Sequence, residues 1–212
     1  MLTPSHCIVI DLVWRKIVNR DNGTNRVSSP VFFISNQIIM TTLIKNSKLF
    51  DNHITYTDTL FNNLMRLDYD KSMMARWTAS FGQSYNYSGK TYPYVDMPYF
   101  LNDLIPVITN LIGFTPNNCL VNLYHDGKSS MGYHSDNTDI LSPGTGVVII
   151  SIGSTRTLRF KNKLNHDNII DYTLNDGSLF YMDDTIQNDW LHSIPKSDAD
   201  GPRFSLTFRS II

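Results

Sequence analysis

From residue 118 onward, short runs of β-branched and aromatic residues alternate with turn clusters. This pattern predicts strands over 119–124, 146–153, 155–160, 169–174, 178–182 and 204–209. Asp126-Gly, Ser142-Pro-Gly-Thr-Gly and Asn175-Asp-Gly-Ser supply the turns between them. Ahead of this region the apolar period changes. Leu60, Phe61, Leu64 and Leu67 recur at helical spacing, with Thr57 or Asp58 placed to cap the helix. A second helix is expected over about 97–112, with Phe100, Leu101, Leu104, Ile105, Ile108 and Leu111 on one broad face and Gly113 as its stop. Pro106 falls inside that span and either kinks the helix or moves its start later. Residues 1–47 read as β-rich or irregular, with strands at Ile8-Val-Ile and Val31-Phe-Phe-Ile around a turn at Asp21-Asn-Gly-Thr-Asn. Six or more antiparallel strands after two helices imply an α+β fold, a sandwich or jelly-roll with helices packed on one side. No internal repeat interrupts this plan.

Composition and length agree with one globular domain, or one domain with an appendage. The chain has 212 residues, 42% of them hydrophobic and 17% charged. Cys7 and Cys119, without a CxxC pattern, offer neither a disulfide framework nor a thiolate metal site, which favours a reducing compartment. A net charge of −1 gives no global nucleic-acid footprint. Two basic clusters, Arg156/Arg159/Lys161/Lys163 and Arg15/Lys16/Arg20/Arg26, read first as solvated faces. No apolar run is long enough for a membrane span, and Asp11 interrupts the short apolar stretch near the start. The expectation is an intracellular protein, nuclear or cytoplasmic, neither secreted nor membrane-bound, and monomeric.

Candidate chemistry begins at His134-Ser135-Asp136 and at His192 far downstream. Two imidazoles and a carboxylate suit a ferrous ion held on one face, leaving positions open for other ligands. On a strand, residues i and i+2 point the same way, so His134 and Asp136 could share a metal while Ser135 points away. A second constellation lies in Arg203-Phe-Ser-Leu-Thr-Phe-Arg209. Phe204, Leu206 and Phe208 form an apolar face, and Arg203, Ser205, Thr207 and Arg209 form a polar one. That polar face is either the solvent side of an edge strand or a clamp for a dicarboxylate. Asn122 and Tyr124 form another i, i+2 pair able to hydrogen-bond a carboxylate.

In order and spacing these motifs resemble the AlkB-like dioxygenases, which oxidatively remove alkyl groups from nucleic-acid bases. Asn122-Leu-Tyr-His-Asp-Gly-Lys-Ser-Ser-Met-Gly-Tyr-His-Ser-Asp is similar to that family's N-x-Y-x-D-G…H-x-D segment. Ser151-Ile-Gly-Ser-Thr-Arg, Asp176-Gly-Ser-Leu-Phe-Tyr-Met, His192-Ser-Ile-Pro and Arg203-x5-Arg209 extend the match over about residues 50–212. The resemblance implies a double-stranded β-helix (jelly-roll) domain over 48–212 and an N-terminal extension, of unknown role, over 1–47. It implies Fe(II) on His134, Asp136 and His192, with 2-oxoglutarate on Asn122, Tyr124, Arg203, Thr207 and Arg209, and O2 as the oxidant. Arg203 would take the distal carboxylate, and Arg209 would lie nearer the metal-chelating end. Ser84-Tyr-Asn-Tyr-Ser-Gly resembles the segment with which DNA-repair members, especially the animal type, line the lesion pocket. That makes Tyr85, Asn86 and Tyr87 candidates for base contacts in methylated DNA or RNA.

One departure stands out. Repair members carry acidic residues directly after His-x-Asp to recognise a cationic base, whereas Asn137-Thr138 follow here. Asn137 is therefore a candidate substrate contact of neutral character. The iron chemistry is untouched by the change, but the case for a cationic lesion weakens. Trp77 to Gly82 lies where a strand-opening hairpin would fall, without a pattern that identifies one. The alternatives to nucleic-acid demethylation are a same-fold oxygenase of protein or small-molecule substrates, or a non-catalytic nucleic-acid-binding module.

Overall fold

The computed structural model describes residues 7–9, 41–42, 56–87 and 89–212. In chain order the elements are β1 (Cys7–Val9), β2 (Thr41–Thr42), α1 (Tyr56–Met65), β3 (Trp77–Gly82), β4 (Tyr85–Tyr87), β5 (Lys90–Tyr92), α2 (Tyr99–Asn102), α3 (Ile105–Ile112), β6 (Asn118–Tyr124), β7 (Met131–His134), β8 (Gly146–Gly153), β9 (Arg156–Asn162), β10 (Ile169–Leu174), β11 (Ser178–Asp183), α4 (Ile186–Asp189), β12 (Trp190–Ile194) and β13 (Arg203–Arg209). A larger sheet runs β1-β11-β8-β13-β6-β3, with β2 also on β11, and a smaller one runs β10-β9-β12-β7. Every pairing between these strands is antiparallel. The α+β jelly-roll expected from the sequence is the observed architecture.

Strand periodicity divides the larger sheet into two chemically distinct faces. On one, Cys119, Val121, Leu123, Val148, Ile150, Ile152, Phe204, Leu206 and Phe208 pack under Leu60 and Leu64 of α1 and under Leu101, Leu104 and Ile108. On the other, Tyr124, Val147, Ile149, Phe180 and Met182 meet Leu158, Phe160, Leu174, Trp190 and Ile194 of the smaller sheet and its flanks. The larger sheet is thus the middle layer, covered on both faces. This is why β8 is an almost unbroken apolar run rather than an alternating one.

Several expectations shift in detail. The helix expected over 97–112 is two: α2 ends at Asn102, and α3 starts at Ile105 with Pro106 in its first turn, where a missing N–H costs nothing. Gly113 does close α3, at φ 89°, a left-handed value that favours glycine. α1 begins at Tyr56, so Thr57 and Asp58 lie in its first turn rather than capping it. Trp77–Gly82 is a sheet strand paired with β6. Val31-Phe-Phe-Ile and the turn at Asp21 lie outside the described residues. Most importantly, β13 is no edge strand. It sits between β6 and β8, buried along its whole length.

The four basic residues at 156–163 do not form one patch. Arg156 points inward and is buried. Arg159 pairs with Asp171, Lys161 lies 4.2 Å over the Tyr133 ring, and Lys163 donates to the Gln187 carbonyl.

Phe204 tests the helix-covered face. It is fully buried, meets Phe61 edge-on at 5.3 Å between ring centroids, and stacks on Tyr69 at 6.5 Å. Phe204→Ala is expected to lower unfolding stability by about 3–5 kcal/mol through lost burial and a residual cavity. Urea denaturation should show a lower midpoint with an unchanged m-value.

Candidate active site

Antiparallel pairing of β7 with β12 sets His134 directly opposite His192, with ring centroids 4.2 Å apart. β7 ends at His134, so Asp136 is not presented by strand alternation as the sequence reading supposed. It is held from outside. The Asp136 N–H donates to Gln187 Oε1 at 2.9 Å, and the preceding Ser135 hydroxyl donates to the Trp190 carbonyl at 3.1 Å. Gln187 is buried in the short helix α4, which runs directly into β12. One connection thus places both His192 and the group that orients Asp136.

The carboxylate is divided between two tasks. Asp136 Oδ1 accepts from Arg209 Nη2 at 3.0 Å, and Oδ2 lies 3.8 Å from His192 Nε2. One donor atom from each of His134, Asp136 and His192 lies within 4.8 Å of the others, close enough to share one ion. His134 Nδ1 lies 3.0 Å from the Gly132 carbonyl, which favours a proton there and leaves Nε2 as a lone-pair donor. Burial pushes His192 down to about 4, so its imidazole is neutral at physiological pH. Burial opposes charge on Asp136, but the Arg209 guanidinium and then the two imidazoles outweigh it and hold the carboxyl below its ordinary value. A neutral imidazole and an ionised carboxylate are the forms that bind a metal ion. Two nitrogens and one oxygen on one side fit Fe(II) with positions left open.

Register explains the rest of the cavity. β13 pairs with β6 so that Arg203 faces Tyr124 and Ser205 faces Asn122. With period-2 alternation, Asn122, Tyr124, Arg203, Ser205, Thr207 and Arg209 share the face toward the smaller sheet. They line a cavity of about 450 Å³, counted with solvent at its mouth, together with His134, Asp136 and His192. Leu120, Ile149, Leu158 and Ile194 supply its apolar walls. All eight residues expected at the metal and cosubstrate sites therefore border one space.

The cavity is electrically asymmetric. Arg209 has Asp136. Arg203 is 1% exposed, donates from Nη2 to the Ser151 hydroxyl at 2.9 Å, and lies 5.3 Å from the Tyr124 ring centroid. Its Nε and Nη1 are buried without hydrogen-bond partners, and it forms no ion pair among the described residues. Burial lowers its pKa to about 10, well above neutrality, so the charge persists. A buried guanidinium with open donors is a binding site for an anion, best a planar carboxylate.

Sequence reasoning missed three participants. Arg76 donates from Nε to Asn122 Oδ1 at 2.9 Å, leaving the Asn122 amide N–H groups as its donors. Gln187 orients Asp136. Ser151 faces Ser205 across the β8–β13 pairing and meets Arg203. The Ser151 motif was visible in the sequence, but Arg76 and Gln187 belong to no pattern that a single sequence reveals.

The backbone places the substrate candidates on a hairpin and on a turn. Tyr85, Asn86 and Tyr87 form β4, paired to β5 with Tyr85 opposite Tyr92. Tyr92 packs on Leu120 and Ile211, and Lys90 pairs with Asp70, so the hairpin is fastened beside the cavity wall. Asn86 is exposed. Asn137 is exposed too, and its Oδ1 accepts the Asp139 N–H at 3.0 Å in a turn directly after the metal ligand.

The family model described as the 2OG-Fe(II) oxygenase superfamily matches residues 33–209. The chain belongs to this superfamily. Its cofactors are accordingly Fe(II), 2-oxoglutarate and O2, and it is an AlkB-like member. An uncharacterized protein of Acanthamoeba polyphaga mimivirus is 33% identical over 137 residues, covering 64% of this chain and 71% of that protein. The DNA oxidative demethylase ALKBH2 of Homo sapiens is 30% identical over 142 residues, 62% of this chain and 53% of the relative. The human alpha-ketoglutarate-dependent dioxygenase alkB homolog 3 is 35% identical over 108 residues, 47% of this chain and 38% of the relative. The chain thus matches about half or less of these two human oxygenases. The structure of OsALKBH1 superposes with a TM-score of 0.53 at 16% identity, covering 77% of this chain and 96% of that one, which establishes the shared fold. Among the described residues no helix is long and apolar enough to cross a membrane.

The two arginines of β13 differ in how their charge is answered, and removing a charge at each end should show it. Arg203→Met removes an uncompensated buried cation, so ligand-free stability should hold or rise by about 1–3 kcal/mol, while 2-oxoglutarate affinity falls at least about a hundredfold. Asp136→Ala removes the carboxylate paired with Arg209 and should lower stability by about 3 kcal/mol. Thermal melts and calorimetric titration on both variants check this; a destabilised Arg203→Met protein would contradict the reading of the cavity.

Proposed function

We propose that this oxygenase oxidatively demethylates alkylated bases in nucleic acid, with residues 48–212 as the working domain and 1–47 as an extension. The observation that carries the reading is one cavity with the His134–Asp136–His192 set at one end and the charged, open-handed Arg203 at the other. In it, His134, Asp136 and His192 would hold Fe(II). Arg203 would take the distal carboxylate of 2-oxoglutarate, helped by Tyr124, while Asn122, Thr207 and Arg209 would fix the rest of it. When bound, iron and 2-oxoglutarate supply O2-dependent hydroxylation of a C–H bond, coupled to release of succinate and CO2. Hydroxylation of an N-methyl carbon yields formaldehyde and the restored base.

The chain's own residues would position and protect this chemistry. The apolar walls exclude water, and Arg209 keeps Asp136 ionised and oriented. Tyr85, Asn86 and Tyr87 on the anchored hairpin would receive an extruded base by stacking and edge hydrogen bonds. Asn137 would contact it from the metal side. The names of the human relatives, one of them a DNA oxidative demethylase, support nucleic acid as the substrate. A neutral Asn137-Thr138 in place of acidic residues favours lesions that carry no fixed positive charge. A monomer working inside the cell completes the proposal.

Incubation with Fe(II), 2-oxoglutarate and O2 on DNA and RNA oligonucleotides, single-stranded and duplex, bearing methylated bases tests it. Formaldehyde should appear in step with succinate, and His134→Ala should lose more than about a hundredfold in rate while keeping its fold by circular dichroism. Succinate without formaldehyde on any oligonucleotide would point to a protein or small-molecule substrate. Oligonucleotide binding without iron binding or turnover would mean a non-catalytic module.

A further inference from the structure

Tyr124 is flanked by two buried guanidinium groups, of which the proposed cosubstrate site uses one. Arg203 Cζ lies 5.3 Å and Arg156 Cζ 5.7 Å from the centre of its ring. Arg156 comes from the opposite sheet, on β9, and is almost wholly inaccessible. Its Nη1 donates to the Asp126 carbonyl at 2.9 Å, and its Nη2 to the Ser129 and Pro195 carbonyls at 2.8 and 2.7 Å. These acceptors are neutral, so its charge is not cancelled where it binds. The Asp126 carboxylate, which favours the charged form of Arg156, is half-exposed to solvent, and Arg156 Nε is buried without a partner.

The three carbonyls also place it structurally. Asp126 and Ser129 lie in the turn from β6 into β7, which ends on His134, and Pro195 directly follows β12, which carries His192. The two segments are further joined by backbone bonds between Gly127 and Ser197 and between Gly127 and Ala199. Gly127 is required there, since a Cβ would collide with the Ser197 carbonyl.

We propose that Arg156 is a positioning and selectivity residue for the cosubstrate: its charge, delivered across Tyr124, makes the Arg203 end of the cavity select a dicarboxylate over a 2-oxo monocarboxylate. This rests on the 2-oxoglutarate reading of that cavity. Two like charges held in a poorly polarisable interior destabilise each other until a negative group arrives, so both favour the distal carboxylate. At an effective dielectric constant of about 20, a unit charge several ångströms away contributes roughly tenfold or more in affinity. A role confined to pinning the turn would have no such charge signature.

The experiment is anaerobic calorimetry on the Fe(II)-loaded protein with 2-oxoglutarate and with 2-oxopentanoate, which lacks the distal carboxylate. Arg156→Gln, neutral but still able to donate to a carbonyl, should weaken 2-oxoglutarate about tenfold and leave 2-oxopentanoate within about twofold. Arg156→Lys, which keeps the charge without the planar fork, should preserve most of the preference. Equal loss for both acids in Arg156→Gln, or an unchanged preference, overturns the proposal. Should Arg156→Gln fail to fold, Arg156→Lys decides: preference retained supports it, and preference lost despite the charge overturns it. A wild-type protein that binds the two acids equally would instead refute the cosubstrate assignment itself.

Discussion

The ion pair between Arg209 and Asp136 solves a problem created by the position of β13. A strand in the middle of a covered sheet has no solvent on either face, yet this one carries an arginine at each end of its inward face. A buried guanidinium costs several kcal/mol unless a charge or a full set of acceptors answers it. Asp136 answers Arg209, and in doing so it is kept ionised and turned so that its second oxygen meets His192. The metal site is in this sense the neutralised end of the strand. Arg203, at the other end, receives only the neutral side chains of Ser151 and Tyr124, which leaves the cavity with a standing demand for an anion.

The rest of the architecture lets that strand exist. Its outward residues Phe204, Leu206 and Phe208 bury against α1, α2 and their flanking residues, which ties the polar face to a fixed plane. The smaller sheet then closes over the polar face. The β7–β12 pair brings the histidines, and β9 brings Arg156 to the far side of Tyr124. Because each sheet contributes one half, the two halves of the site meet only when the sandwich is closed. The hydrogen bond from Asp136 to Gln187 adds a check of the same kind, since it joins groups fifty-one positions apart.

What the sequence shows and what it hides follow from how far each signal reaches. Alternation at 203–209 and the turn-bounded runs at 146–153 and 169–174 are local, and they coincide with β13, β8 and β10. The i, i+2 pairs at 122/124 and 134/136 mark residues that the fold brings to one cavity. For Asp136, though, the ordering agent is Gln187 rather than strand geometry. β7 and β12 are short and each carries a His, and their extended form comes from pairing with each other and of β12 with β9, which composition cannot announce. Whether β13 was edge or centre depended on its neighbours alone. Arg156 looked like part of a basic surface because its inward direction is set by β9 alternation against a partner sheet that the local pattern does not contain.

The same distinction separates chemistry from substrate choice. The residues proposed for iron and 2-oxoglutarate line one cavity, where most are buried and constrained by several partners at once. Moving any one of them leaves a charge or hydrogen bond unanswered. Asn86 and Asn137 sit on exposed turns and a hairpin, where a substitution disturbs little beyond its own contacts. Replacing acidic residues by Asn137-Thr138 could therefore occur without cost to the metal site, because Asp136 already has its countercharge in Arg209. A chain built this way can retain one oxidation while the substrate it accepts is altered at the rim.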